Sequence, residues 1–165
     1  MRRFLLLAAV LASPAAAQTA TPADAVQAVA HAGRQVIAYL PDLQTAPLAQ
    51  ALKKAASSQV RVYLIAPRNA HMISGSFLPS VALANAEKPP LPLSYHFRTL
   101  NAPAFVIVDN RLGFLGSGLT TGGSDVRPMT ASEIAPYVKS STDAIKTSPA
   151  QPARVLIKER YGLKY

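Results

Sequence analysis

The chain has 165 residues, half of them hydrophobic, with 17 lysines and arginines against 8 acidic residues and no cysteine. That length suits one domain with a single sizeable core, and the missing cysteine excludes disulfides, a thiolate metal site and a lipid-modified cysteine anchor. The formal charge is +9, or +7 without Arg2 and Arg3, an excess that suits nucleic acid, anionic lipid headgroups or acidic polymers as partners; its cations are scattered singly, so a merely solvated basic surface accounts for them equally well.

The first segment reads as an export signal. Arg2 and Arg3 supply a positive end, residues 4–12 an apolar run, and Ala15-Ala16-Ala17 a small-residue site with cleavage between Ala17 and Gln18. The run is far shorter than the roughly 20 apolar residues of a membrane span. No later stretch is that long without proline or charge. The expectation is a signal peptide over 1–17, one domain over 18–165 without a transmembrane segment, and a periplasmic or secreted location.

Thr21-Pro22 opens a first helix, a capping side chain followed by a residue tolerated in the first turn. Ala25, Val26, Val29 and Ala30 fall at helical spacing, and Gly33 is the expected stop. Residues 35–40 form a first strand closed by Pro41-Asp42. Thr45 opens a second helix with Leu48, Ala51, Leu52 and Ala55 on one side and Lys53 and Lys54 outward. Residues 60–65 alternate and then turn wholly apolar, as a strand buried in a mostly parallel sheet does. Helix, strand, helix, strand implies a right-handed crossover and an α/β sandwich.

From 66 to 92 the pattern is broken by Asn69, Gly75, Pro79 and Lys88-Pro89-Pro90. An irregular excursion with one short helix near 80–86 is expected. Three β-favouring runs follow, 93–98, 104–109 and 111–115, the last two joined by a tight turn at Asp109-Asn110; they predict an antiparallel part of the sheet. Thr130 and Glu133 have capping-box spacing, but Pro136 does not suit a helix interior. The main helix is therefore expected from about 135 to 147. The tail, 154–165, is open between a strand and a last helix.

Residues 102–117 place an apolar strand, Asp109, a hairpin and Gly116-Ser117 in succession. This resembles the signature region of the phospholipase D superfamily: His-x-Lys, four residues, Asp, then after a hairpin Gly-Ser-x-Asn. With the preceding order of elements the likeness spans about residues 24–146. It implies a single α/β domain, a mixed β-sheet with helices on both faces. It also implies a histidine that attacks phosphorus, a lysine that holds the non-bridging oxygens and a second motif's histidine that protonates the leaving group. Ala102 stands in the histidine's place, Ala104 in the lysine's and Leu119 in the asparagine's. A methyl group can neither attack nor grip a phosphate. Loss of an activated nucleophile costs orders of magnitude in rate, and loss of the cation removes transition-state stabilisation as well.

Ser117 and the backbone amides of Gly116 to Gly118 are candidate donors to an anion, or a turn kept for shape. Asp109 reads as a remnant of the motif or as an ordinary turn residue. His31 reads as a surface residue of the first helix, and His71 lies in the excursion with no partner at motif spacing. His96 and Arg98 form a His-x-Arg pair on one strand face. They are the rescue candidates, provided a hairpin neighbour brings them to the vacated site.

Metal chemistry has no support in the sequence: no His-Glu-x-x-His and no carboxylate-rich loop. No cofactor is expected. Gly116-Ser117-Gly118 lacks the serine-hydrolase elbow, and Gly113-x-x-Gly116 lacks the lysine and following helix of a nucleotide loop. Three functions stay open: an inactive binding module for nucleic acid or another phosphate-bearing polyanion, a metal-independent phosphodiesterase or nuclease, and a structural envelope protein. The resemblance also implies a homodimer, because single-motif members complete their site with a second copy. Without a composite site to assemble, that pairing surface is free to be kept, reused or lost.

Overall fold

The computed structural model describes residues 19–86 and 89–162. The export-signal segment and the Ala17-Gln18 cleavage point lie outside the described residues, as do Glu87, Lys88 and residues 163–165.

Helix α1 (Pro22–Ala30) starts where a capping box closes: Thr21 Oγ1 accepts from the Asp24 amide at 3.3 Å and Asp24 Oδ2 accepts from the Thr21 amide at 2.8 Å. It ends at His31, two residues before Gly33. β1 (Gln35–Tyr39), α2 (Ala46–Ser57) and β2 (Arg61–Ala66) follow as expected. Thr45, however, makes no capping hydrogen bond to α2; its hydroxyl donates to the Leu119 carbonyl at 3.3 Å. The excursion holds a 3-10 turn at Ala70–Met72, α3 (Leu78–Ala82) and a second 3-10 turn at Leu83–Ala86.

The remaining strands are β3 (Leu93–Phe97), β4 (Phe105–Val108), β5 (Leu112–Leu115) and the two-residue β6 (Arg127–Pro128). They complete a six-stranded sheet in the order β3-β2-β1-β4-β5-β6. Residues 93–98 are not part of the antiparallel set expected from their closeness to 104–109. β3 instead lies parallel to β2 at the sheet edge, with Ile65 opposite His96. The connection explains it: residues 98–104 must pass the ends of β2 and β1 to reach β4, and Tyr39 Oη donates to the Leu100 carbonyl there at 3.2 Å. The antiparallel pairs are β1 with β4, β4 with β5 and β5 with β6.

Strand alternation divides the core between two faces. Val36, Ala38, Leu64 and Val106 pack with Ala25, Val29, Leu48 and Leu52 of α1 and α2. Ile37, Tyr39, Ile65, Phe105 and Ile107 pack with Ile134 and Ala144 of α5 (Ala131–Thr147). Helices therefore cover both faces of a single-domain sheet.

The main helix α5 begins at Ala131, four residues earlier than expected, and carries Pro136 inside it. Its capping box outweighs the proline: Glu133 Oε2 accepts from the Thr130 amide at 2.7 Å. Pro136 is exposed, so the Ser132 carbonyl that loses its helical partner can turn to water. The tail resolves as a helix, α6 (Ala153–Tyr161), with Ala153 and Leu156 buried. The short α4 (Gly118–Thr121) begins directly after Ser117, where no helix is expected from the sequence.

Candidate functional site

The register brings the ends of β1, β2, β3 and β5 and the start of β4 to one edge, since Tyr39 faces Phe105, Phe105 faces Leu115 and Leu115 faces Arg127. This carboxyl edge holds most of the positions that the motif singles out. Ala104 is 5% exposed and Leu119 1%, both within the α1/α2-side core. Ala102 packs against the α5-side core. The three residues standing where the motif has histidine, lysine and asparagine thus act as packing groups. A cation introduced at Ala104 would start from an apolar wall, where an unpaired charge is costly.

Ser117 is exposed, but its donors are spent. Its amide and hydroxyl both donate to Asp125 Oδ2, at 3.0 and 2.6 Å. These two bonds, the hydroxyl first, hold the Asp125 carboxyl below its usual range. The Gly116 amide donates to the Ala104 carbonyl and the Gly118 amide to the Asp125 carbonyl, each at 2.9 Å. No N–H or O–H of Gly116 to Gly118 is left for an outside anion, and the Asp125 carboxylate stands beside them with the wrong charge. Gly116 has φ 138, and a Cβ on it would collide with the Asp125 carbonyl oxygen, so this glycine lets two chain segments touch.

Two of the arginines around this edge are ion-paired. Arg127 forks onto Glu133 at 2.7 and 3.1 Å; that contact, with the Thr130 amide and hydroxyl, takes the Glu133 carboxyl down to about 2. Arg68 reaches Glu159 at 3.0 Å and lies over the Phe97 ring at 5.4 Å. Arg160 donates to the His71 and Ile73 carbonyls at 2.6 and 2.9 Å. Arg98, exposed beyond the end of β3, shares a shallow recess with Arg68, Phe97 and Thr99.

His96 is not brought to the vacated site. It is 4% exposed, with Nδ1 2.8 Å from the Ser148 carbonyl and Nε2 3.0 Å from Ser94 Oγ. β2 and β1 stand between it and β4, a separation of three inter-strand spacings, or roughly 14 Å. Arg98 directly follows the same outer strand, and no hairpin joins either residue to β4. His71 is fully buried, stacked on Phe97 with ring centroids 5.4 Å apart and Nε2 2.9 Å from Glu159 Oε2. His31 is exposed, its Nδ1 2.8 Å from the Gln27 carbonyl.

Asp109 lies at the far end of β4, a strand's length from Ala104 and Ser117. It and Asn110 both have positive φ, 53 and 58, as the centre of a two-residue hairpin requires, and the Arg111 amide closes the turn on the Val108 carbonyl at 3.0 Å. The carboxylate accepts from the Gly33, Arg34 and Gln35 amides at 2.9, 2.8 and 2.9 Å. Partial burial pushes this carboxyl up, but those amides and the Arg34 charge outweigh it and hold it below the usual range. Its remnant role is structural: it fastens the start of β1 to the hairpin. Asp109, Asn110, Gln35, Arg34 and Arg61 together line a small polar notch of about 90 Å³.

Two features have only faint signals in the sequence. Asp125 follows Ser117 by eight residues in a Gly-Gly-Ser-Asp loop, and nothing local announces their contact. Arg34 and Arg61 each stand at the mouth of an apolar run, so a parallel pairing of those runs was the clue to their proximity. Among the described residues, no three or more histidine or acidic side chains gather as a metal site, and no helix is long and apolar enough to cross a membrane.

No family model matches the chain, and no curated protein matches it either. Solved structures do. NucT from Helicobacter pylori is similar with a TM-score of 0.60 and 14% identity over 78% of this chain and 89% of that one. Nuc from Salmonella typhimurium, a phospholipase D family member, has a TM-score of 0.59 and 14% identity over 79% and 90%. TrmBL2, an archaeal chromatin protein described with a novel mode of DNA binding, has a TM-score of 0.53 and 11% identity over 78% of this chain and 50% of its own. The chain has the phospholipase D superfamily fold.

Proposed function

We propose that the chain is an exported, non-catalytic domain of phospholipase D fold that binds a phosphate-bearing polyanion, nucleic acid before all others. One observation carries the loss of catalysis: Ala104 and Leu119 are buried in one core and Ala102 packs against the other, at the edge where the motif would act. The excess of basic over acidic residues supports the binding role, because backbone phosphates are held chiefly by charge. So does the likeness to a DNA-binding chromatin protein. Export rests on the leader-like residues 1–17 and is checked by an intact-mass measurement of the envelope fraction, which should find Gln18 at the amino terminus.

The test uses purified protein, chelator, a bis-aryl phosphodiester and a labelled DNA duplex. Retention of uncut duplex that weakens with salt supports the proposal. Turnover of the diester, abolished by a change at the carboxyl edge, overturns the loss of catalysis and favours the second reading, a metal-independent phosphodiesterase, for which the match to a phospholipase D family member speaks. No binding and no turnover leaves a structural envelope role.

A further inference from the structure

We infer that the polyanion is held at the hairpin end of the sheet, opposite the edge where the motif residues lie, by Arg34, Arg61 and Arg111 acting on a nucleic-acid backbone. This rests on the polyanion reading and gives it a place. Arg34 precedes β1, Arg61 opens β2 and Arg111 follows the Asp109-Asn110 turn. Parallel pairing sets Gln35 beside Arg61, and the Arg61 amide donates to the Arg34 carbonyl at 3.2 Å. Antiparallel pairing sets Val36 beside Val108, which brings the turn to the same place.

All three arginines are exposed. Among the described residues none of them has a carboxylate within ion-pair distance, whereas near the other edge Arg68 and Arg127 each do and Arg98 alone of these three does not. The one acid between them, Asp109, has both oxygens engaged by backbone amides. Three guanidinium groups thus stand against one carboxylate at this end of the sheet, an excess of positive charge, and Arg34 and Arg61 line the notch beside it. Guanidinium forks suit phosphate oxygens better than point-charge ammonium groups do. A membrane-docking face would carry a broad apolar surface as well; of the exposed large apolar residues only Leu112 adjoins any of these arginines in sequence.

The test is fluorescence anisotropy of a short labelled duplex with the whole protein, from about 50 to about 200 mM salt. Arg34→Gln/Arg61→Gln is compared with Arg98→Gln at the carboxyl edge and with Lys139→Gln/Lys146→Gln, which removes two exposed charges from α5. The expected result is a roughly tenfold loss at low salt for the first pair, with the slope of log K against log salt flattened by about 2. The other two should stay within about threefold, and Arg111→Gln alone should flatten the slope by about 1. Far-ultraviolet circular dichroism confirms that each variant is folded.

Equal losses from the α5 pair would overturn the inference in favour of diffuse charge. A dominant loss from Arg98→Gln would overturn it in favour of the carboxyl edge, with the polyanion reading intact. Binding to phosphatidylglycerol vesicles but not to DNA, lost in Arg34→Gln/Arg61→Gln, would keep the face and overturn the partner. If the unaltered protein binds neither, the polyanion reading itself falls.

Discussion

At the carboxyl edge Arg68 and Arg127 are held by Glu159 and Glu133, Arg98 has no carboxylate within ion-pair distance among the described residues, and Ser117 gives both its donors to Asp125. At the hairpin end Arg34, Arg61 and Arg111 likewise have no carboxylate within ion-pair distance among the described residues, and the one nearby acid, Asp109, is hydrogen-bonded by amides. Both ends carry arginines and an aspartate, so residue count does not separate them. What separates them is how many charges are already satisfied, two of these three arginines at the carboxyl edge and none of three at the hairpin end: an ion pair cancels its own far field, while an unpaired guanidinium projects one. A motif position shows where chemistry would act in similar folds, and the satisfied or unsatisfied state of its neighbours decides whether anything can still bind there.

The largest expected effect breaks the carboxyl edge alone. Gly116→Val forces a branched side chain into positive φ and against the Asp125 carbonyl, and should destabilise the fold by more than about 3 kcal/mol in urea unfolding. Next comes Asp109→Ala at the other end, which strips the acceptor from three amides and a favoured residue from a positive-φ turn; about 2 kcal/mol is expected. Because the folded Asp109 carboxyl is lowered, its contribution is present above the unfolded value near 4 and is lost as pH falls through the folded value. The gap between Asp109→Ala and the unaltered protein should therefore be constant near neutrality and shrink below about pH 4.

A smaller effect sharpens the contrast between the ends. Glu159→Ala leaves the buried His71 ring without its carboxylate and should cost about 1–2 kcal/mol; His71→Leu/Glu159→Ala should cost less than the sum of the singles. The same change frees Arg68. If unpaired charge is what binds, Glu159→Ala should raise DNA affinity slightly, and that new increment should vanish in Arg68→Gln/Glu159→Ala.

The order of helices and strands through residue 66 is legible because local spacing decides it: Ala25 with Val29, Leu48 with Leu52, and the run from Val60. The β4–β5 hairpin is legible too, since Asp-Asn tolerates positive φ. The partner of β3 is not, because local closeness of 93–98 and 104–109 suggests a hairpin and only the sheet as a whole shows residues 98–104 spanning two strands. Pro136 misleads about α5 because an exposed carbonyl loses little without its helical donor. The alanines at 102 and 104 are plain in the sequence. That Ser117 is spent on Asp125, and that Arg34 meets Arg61, are non-local facts that no spacing rule contains.

The smallest effect tests the pairing at the carboxyl edge most directly. Arg127 is the first cause of the low Glu133 carboxyl, and the Thr130 amide and hydroxyl follow. Arg127→Gln should therefore raise the Glu133 carboxyl from about 2 while leaving it below an ordinary glutamate, because the capping box remains. A side-chain carboxyl titration by nuclear magnetic resonance reads this without needing any change in stability, and exposed pairs contribute little of that. Full return to the ordinary value would mean the capping box is not formed in solution, and no change would mean Arg127 is unpaired. In the latter case the carboxyl edge would carry a second unpaired guanidinium besides Arg98, and the contrast with Arg34 and Arg61 would lose its basis on that side.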